Sequence, residues 1–228
     1  MGKMTRREFI LNSSMIAGGT LGGLAMGSGV FTPPQALSAE IKFPESSCQA
    51  KKKSKKKILI GYASFCGSTG EVAEALGREL CQQGAQVDIR VLKNVRDISS
   101  YDGAVLGSSV RSASWLPEAI EFVQNNQERL SRIPVAFFLT CLALYKDTEE
   151  SRRVAGSYMN PVLKSAPSVQ PVDLGLFAGV LDYSKLTIMY RMIMKSKMKD
   201  RGVPEGDFRN WEAIQAWARA IYPSLSVG

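Results

Sequence analysis

The sequence predicts an α/β fold in which one parallel β-sheet is covered by helices on both faces. Two observations predict it: short apolar runs recur along residues 57–228, and segments whose apolar side chains have helical spacing lie between them. Strands that alternate with helices form parallel sheets, because each helix carries the chain back to the edge where the previous strand began. The 228 residues, 45% of them hydrophobic, suit one packed domain rather than two.

The first half of this region predicts three strands and one helix. Residues 58–63 (ILIGYA) form an apolar run that suits a strand buried on both faces. Residues 69–83 follow with apolar side chains at helical spacing, so we expect a helix there. A second strand alternates over residues 87–92, and a third, apolar throughout, covers residues 103–107.

The second half continues the alternation. We expect a helix over residues 117–130, a fourth strand over residues 134–140 and a further helix over residues 149–163. The fifth strand lies within residues 172–181. Residues 211–221 close the domain as a helix, because their apolar side chains fall on one face.

The net charge of +8 is concentrated near the N-terminus. Residues 1–57 contain ten lysines and arginines against three glutamates, whereas residues 58–228 contain 19 cationic and 18 acidic residues. The folded region is therefore almost neutral and presents no general field for a polyanion. Binding of nucleic acid is not expected.

Histidine is absent from the sequence, and cysteine is sparse. The absence of histidine excludes Ser-His-Asp and Cys-His catalysis, imidazole acid–base chemistry and every zinc site that uses histidine. The four cysteines are Cys48, Cys66, Cys81 and Cys141, none in a Cys-x-x-Cys pair. No metal site or dithiol centre is predicted.

Residues 1–39 have the layout of a signal peptide. Arg6 and Arg7 precede a stretch from Phe9 to Ala39 that contains no charged residue, and its many glycines make it a poor membrane span. Residues 5–10 (TRREFI) resemble the twin-arginine signal. The pattern predicts export to the periplasm or the outer face of the cytoplasmic membrane, with the segment either cleaved or kept as an anchor. The alternative is that two arginines merely flank an apolar N-terminus.

Residues 40–56 are predicted to be a flexible tether, since they carry too little apolar surface to fold, and residues 57–228 form the domain. The lysine run at residues 51–57 (KKKSKKK) could lie against anionic lipid headgroups or simply keep the tether in solvent. Cys48 falls in the tether and is interpreted as an incidental thiol.

The loop after the first strand has the composition of a phosphate-binding loop. Residues 64–70 (SFCGSTG) offer hydroxyls, glycines and backbone N–H groups at the start of a helix, which can hold a phosphate without lysine or arginine. The Walker and Gly-x-Gly-x-x-Gly patterns are both missing. A monophosphate therefore fits better than a triphosphate or a dinucleotide, although a plain turn has similar residues.

Two further loops follow the third and fourth strands. Small polar residues in residues 107–115 and 140–145 could bond the edges of a flat ring, on which Trp115 or Tyr145 could stack. Packing against a helix is an equal alternative for Trp115. Cys66 and Cys141 also lie in these loops, and packing is favoured over a redox role for both thiols.

The sequence resembles the flavodoxin superfamily and, within it, the flavodoxin-like quinone-dependent protoporphyrinogen dehydrogenases. Separate stretches between residues 57 and 222 carry the resemblance: Gly67 and Thr69 followed by residues 71–73, then residues 107–111, 134–138, 177–183, 189–195 and 207–218. The resemblance implies a doubly wound, five-stranded parallel sheet of order 2-1-3-4-5. It also implies bound FMN and no metal. The residues implied to bind FMN are Ser64, Phe65, Cys66, Gly67, Ser68, Thr69, Ser108, Ser109, Val110, Arg111, Trp115, Thr140, Cys141, Leu142 and Ala143.

The implied function is an FMN-dependent oxidoreductase that passes electrons from a protoporphyrinogen-like donor to a quinone. Arg111 is the candidate contact for a substrate carboxylate or the flavin edge, with a surface salt bridge as the alternative, and no general base is identified. Residues 185–201 mix methionines with cations, which suits an interfacial helix, a wall for an apolar ligand, or a core helix with a basic end. A non-enzymatic electron-transfer protein is the second hypothesis, and a cofactor-free binding module the third.

Overall fold

The computed structural model describes residues 41–49 and 56–226. The leader expected at residues 1–39 and most of the lysine run at residues 51–57 lie outside the described residues, so both stay predictions. The strands are β1 (Ser46–Cys48), β2 (Lys57–Ala63), β3 (Gln86–Val91), β4 (Gly103–Arg111), β5 (Ser114–Trp115), β6 (Val135–Cys141), β7 (Asp173–Ala178), β8 (Val180–Leu181) and β9 (Gly206–Asp207).

The centre of the main sheet has the predicted architecture. Strands β3, β2, β4, β6 and β7 lie side by side in that order and are all parallel, which confirms the order 2-1-3-4-5. Ile60 of β2 lies opposite Ile89 on one side and Val105 on the other. The chain passes from β2 to β3 on one side and then returns to add β4 on the other side of β2. The carboxyl end of β2 is therefore the switch point where such sheets bind ligands.

The prediction of only five strands in this sheet is wrong in detail. Strand β1 adds antiparallel to the outer edge of β3, and the short β5 turns back on the end of β4, which makes seven strands. Neither addition has the long apolar run that identified the other strands, because an edge strand and a two-residue ribbon bury little side-chain surface.

Helices cover both faces of the sheet. They are α1 (Ser68–Gln82), α2 (Pro117–Asn125), α3 (Gln127–Leu130), α4 (Glu149–Ser157), α5 (Asn160–Ser165), α6 (Ile188–Asp200) and α7 (Trp211–Ser226). Two predicted helices are each broken in two, at Asn126 and before Pro161. The second break follows from Pro161, which has no N–H and whose ring clashes with the preceding turn, so a new helix starts there. None of these described helices has the length and apolarity that a membrane span requires.

The predicted fifth strand leaves the sheet at Gly179. The N–H of Gly179 donates to the Cys141 carbonyl at 3.0 Å, and its own carbonyl accepts from the Phe208 N–H at 3.2 Å. Beyond this point, β8 pairs with β9 in a separate antiparallel ribbon. The segment between those two strands contains α6, so the ribbon fixes the base of α6 at the carboxyl edge of the sheet.

The N-terminal strap, residues 41–49, is not the flexible tether predicted there, and the rest of that prediction, at residue 40 and residues 50–55, lies outside the described residues. Its strand β1 is hydrogen-bonded to β3, and Cys48 forms a disulfide with Cys81 of α1. The interpretation of Cys48 as an incidental thiol is therefore wrong. Composition could not reveal this, because main-chain pairing and a covalent bond hold the strap where apolar burial does not.

The central strands β2, β4 and β6 are buried on both faces and contribute to two cores. Helices α1 and α7 pack on one face of the sheet, while α2, α4 and α5 pack on the other. Alternate residues of one strand enter opposite cores, as Phe137 and Phe138 do in β6. Gly107 of β4 has no side chain because the Phe138 ring lies against it: a Cβ at Gly107 would stand 2.2 Å from a ring carbon.

Candidate functional site

A cleft of about 510 Å³ opens at the carboxyl ends of the strands. The loop after β2, the ends of β4 and β6 and the inner face of α6 line it. Ten of the residues expected to bind a cofactor face this cleft: Phe65, Cys66, Ser68, Ser109, Val110, Arg111, Thr140, Cys141, Leu142 and Ala143. The cleft therefore lies at the switch point of the sheet, where the order of strands favours ligand binding.

The phosphate loop, residues 64–69, is held in shape by its own polar groups. The Ser64 hydroxyl accepts from the Gly67 N–H at 2.9 Å, and the Phe65 N–H donates to the Ser109 hydroxyl at 3.1 Å. Gly67 has a φ of +85°, which the left-handed turn into α1 requires. The N–H groups of Cys66, Ser68 and Thr69 donate to no acceptor within residues 41–49 and 56–226. These amides lie at the positive end of α1 and can receive an anion.

Four expected binding residues lie behind the cleft surface instead of lining it. The hydroxyls of Thr69 and Thr140 are 2.8 Å apart, so they join the phosphate loop to the end of β6. The buried Ser108 hydroxyl accepts from the Leu116 N–H at 3.0 Å. Ser64 and Gly67 shape the turn, as described above. Thr69 and Ser108 therefore position the loops from beneath.

Trp115 is a core residue, and its expected contact with the cofactor is a wrong prediction. Only 2% of it is exposed, and its ring packs against Phe137 with centroids 5.3 Å apart. Pairing of Trp115 with Val110 turns the chain back at the end of β4 and directs the indole inward. The helix-packing alternative is thus the correct one, while Tyr145 remains at the cleft.

Arg111 lies between two aromatic rings at the mouth of the cleft. Its guanidinium carbon is 5.0 Å from the centroid of Phe65 and 5.3 Å from that of Tyr190. Phe65 belongs to the phosphate loop and Tyr190 to α6, so the cation joins the two sides of the cleft. No carboxylate of the described residues pairs with Arg111, so the surface salt bridge is not found.

The far end of the cleft is formed by α6 and the residues that flank it. Leu186, Tyr190, Met194 and Met198 contribute an apolar wall to the cleft. Lys185, Lys197 and Arg201 line it as well, against the single carboxylate of Asp182. The hydroxyl of Ser184 bonds Asp182 and lowers the pKa of that carboxyl, so it stays ionised. Net positive charge therefore surrounds an apolar space.

The two free thiols of the cleft are not activated. Burial raises the pKa of the Cys66 thiol, and burial raises that of Cys141 to about 11. A thiol acts as a nucleophile only as the thiolate, and both groups are protonated at neutral pH. This agrees with the preference for packing over redox chemistry at both positions.

Arg209 supports the phosphate loop from behind, and the sequence analysis missed it. Its guanidinium donates to the Ser68 carbonyl at 3.2 Å and to carboxylate oxygens of Glu71 at 2.8 Å and Asp207 at 2.6 Å. Burial opposes its charge, but the bonds to Asp207 and Glu71 outweigh burial and raise the pKa of Arg209. A single cation 141 positions from Ser68 gives no local signal in the sequence.

Replacing Gly67 with alanine tests the geometry of the phosphate loop. A Cβ there would meet the Lys42 carbonyl oxygen at 2.7 Å, in addition to the strain of a positive φ. We expect the free energy of unfolding to fall by about 2 kcal/mol in urea titrations. Gly202→Ala is the matched control, because Gly202 has a φ of +64° with nothing near its missing Cβ, and it should cost only about 1 kcal/mol. Equal losses for the two variants would contradict the close approach of Lys42.

Five central parallel strands in the order 2-1-3-4-5, with a cleft at their carboxyl ends, are the architecture of flavodoxin-like α/β proteins. The chain belongs to the flavodoxin domain family, whose model Flavodoxin_5 matches residues 59–206. It is 29% identical over 173 residues to protoporphyrinogen IX dehydrogenase (quinone) of Escherichia coli strain K12, covering 72% of this chain and 94% of that protein. The protein of the same name from Leishmania major is 26% identical, covering 71% and 73%. Flavodoxin 2 from Bacillus cereus is 20% identical, with a TM-score of 0.48 over 74% of this chain and 99% of that one.

Proposed function

We propose that this protein is an FMN-dependent oxidoreductase that passes electrons from a protoporphyrinogen-like organic donor to a quinone. Family membership supports a flavin redox role, and the names of the relatives from E. coli and L. major support this donor and acceptor. One observation carries the proposal: a single cleft runs from the phosphate loop to the inner face of α6. Such a cleft leaves room for an organic donor beside a flavin.

The residues of the cleft fit FMN. The amides of Cys66, Ser68 and Thr69, which have no acceptor in the part of the chain that the structure describes, suit its phosphate, and the small residues at the ends of β4 and β6 would hold its ring. Among the described residues, Arg111 lies near the phosphate loop at the cleft, with its guanidinium over the Phe65 ring, and no hydrogen bond joins it to the loop amides. Arg209 instead fixes the Ser68 carbonyl from behind, so the amides and the helix dipole provide the attraction.

The protein's part in the chemistry is to bind, to orient and to exclude water. FMN, when bound, would accept a hydride equivalent from the donor and deliver electrons to the quinone. The apolar side chains of α6 keep water from the donor, and Arg111 is placed to contact an anionic group at the mouth of the cleft. None of these steps needs a histidine.

Electron transfer between proteins, without a bound organic donor, is the competing function. It would require the segment at residues 185–201 to present a flat docking surface beside the flavin. Leu186, Tyr190, Met194 and Met198 instead form a concave wall, which favours the enzyme. A cofactor-free binding module would need a blocked phosphate loop, and loop amides that bond no other described residue do not support it.

We further propose that the protein is exported by the twin-arginine route and works at the outer face of the cytoplasmic membrane or in the periplasm. The leader at residues 1–39 and the disulfide of the strap support this location, because disulfides persist in oxidising compartments. Contact with the membrane would use the lysine run at residues 51–57 and the outer face of α6. That face exposes Ile188, Met189, Met192 and Ile193.

The visible spectrum of the purified full chain tests the cofactor. We expect a flavin spectrum, or its appearance when FMN is added, and release of FMN rather than FAD on denaturation. A chain that neither contains nor binds FMN would contradict both redox functions and favour the binding module.

Turnover then separates the enzyme from the electron-transfer protein. In an anaerobic assay with reduced porphyrin and a menaquinone analogue, Met194→Glu should lower kcat/KM about tenfold or more, because it buries a charge in the apolar wall. Ser196→Glu, on the exposed side of the same helix, is the matched control and should stay within about twofold of the unmodified chain. Flavin binding should be unchanged in both variants. Equal activity of the two variants, or no turnover of the porphyrin by any form, would contradict the donor site.

A further inference from the structure

We propose that the N-terminal strap is part of the FMN-phosphate site, and that its disulfide slows the release of FMN. The inference rests on the proposed function, because it assumes that FMN binds at the phosphate loop. It concerns residues 41–49, which lie before the first strand of the flavodoxin match at residue 59.

The strap lies directly against the turn that would hold the phosphate. The Lys42 carbonyl oxygen lies 2.7 Å from the place of a Cβ on Gly67, and a methyl carbon of Ile41 lies 3.3 Å from it. One turn further along α1, the ring of Pro44 lies 2.8 Å from the place of a Cβ on Gly70. Both glycines are needed to admit the strap, so movement of the strap removes the packing that supports the loop.

Polar anchors fix the strap at its middle. The Tyr62 hydroxyl donates to the Pro44 carbonyl at 2.9 Å. The Glu45 carboxylate accepts from the Val91 N–H at 2.9 Å and from the Asn94 side chain at 3.1 Å. These bonds place the strap against β2 and the end of β3, beside the loop.

The disulfide fixes the other end of the strap to the helix whose first turn faces the phosphate. Cys48 pairs with Val87 in the β1–β3 ladder, and its sulfur is bonded to Cys81 in the last turn of α1. The same helix thus has the anion-binding amides at one end and the covalent link at the other. Opening the link leaves the strap held by a three-residue edge strand and a few hydrogen bonds, which open locally much more often.

Closure of the link is an ordinary dithiol oxidation. The thiols of Cys48 and Cys81 lose two protons and two electrons as the sulfur–sulfur bond forms. The electrons pass to the disulfide of an oxidising protein, which is reduced to a dithiol by exchange. Both cysteines are only partly buried, so a thiol reagent or such a protein can reach them.

The rate of FMN dissociation tests the proposal. Full-length protein would be loaded with FMN, and release would be followed by recovery of flavin fluorescence, with the disulfide intact or reduced. We expect release to be about tenfold faster after reduction, which is a typical coupling between two sites. A Cys48→Ser, Cys81→Ser double variant should release FMN as fast as the reduced protein, and reductant should not change it further.

Riboflavin distinguishes support of the phosphate loop from general loosening of the fold. It has no phosphate, so its dissociation should be the same with the disulfide open or closed. Tyr62→Phe keeps the disulfide but removes the hydrogen bond to the Pro44 carbonyl. It should accelerate the release of FMN and leave the release of riboflavin unchanged. Equal FMN release from the oxidised and reduced forms, or equal acceleration for riboflavin, would overturn the inference. Failure of every form to bind FMN would instead contradict the proposed function.

Discussion

Replacing Phe138 with alanine is expected to lower the free energy of unfolding by about 4 kcal/mol, as measured by urea titration. Phe138 is fully buried in the middle of β6, between helices α1 and α7 and the sheet. Its ring lies over Gly107 and packs against Phe177 with centroids 6.3 Å apart. Alanine leaves a cavity there, because neighbouring strands held by ladder hydrogen bonds cannot collapse into the space.

Two further variants make this prediction specific. Met189→Ala removes a large side chain that is 75% exposed and should change the stability by less than about 0.5 kcal/mol. Gly107→Ala should cost about 2 kcal/mol in the unmodified chain, because its Cβ overlaps the ring, and much less beside Phe138→Ala. Additive losses in the double variant would show that the ring and the glycine are not in contact.

Removing the disulfide should have an effect of similar size. Cys48→Ala with Cys81→Ala is expected to lower the free energy of unfolding by about 4 kcal/mol, since the bond closes a loop over a separation of 33 residues and so restricts the unfolded chain. That loop contains β2 and nearly all of α1, which are central to the fold. Unfolding in urea with and without reductant provides the same comparison in the unmodified chain.

The control for this experiment is Cys66→Ser, which removes a free thiol and should cost about 1 kcal/mol or less. Its stability should still fall on reduction by the full amount, whereas that of the double variant should not change. If reduction left the unfolding midpoint of the unmodified chain where it was, the link between Cys48 and Cys81 would not form in the protein.

The sequence was informative wherever strands are buried on both faces. The apolar runs at residues 58–63 and 134–140 identify central strands, because only a parallel sheet covered by helices hides such runs completely. The strand β1 has the sequence Ser-Ser-Cys, which no measure of hydrophobicity identifies. Its position depends on main-chain pairing and on a partner cysteine 33 positions away.

The site residues were predictable where loops directly follow strands. They were less predictable where the tertiary fold determines the direction of a side chain. Residues 64–69 were recognisable, since glycines and hydroxyls directly between a buried strand and a helix are typical of a turn that receives an anion. The direction of Trp115 was not, because it depends on the two-residue ribbon that turns it into the core. Tyr190 had a partial signal, the methionine-rich run around it, but its approach to Arg111 depends on how the ribbon of β8 and β9 orients α6.

The docked strap also changes how the protein meets other copies of itself. An uncovered outer strand has a row of free N–H and C=O groups that can pair with strands of neighbouring molecules and start aggregation. Strand β1 occupies that row on β3, and the bond to Cys81 keeps it there. A freshly synthesised chain whose strap has not yet docked therefore exposes the unpaired edge of β3 to aggregation. In the oxidised protein that edge is covered.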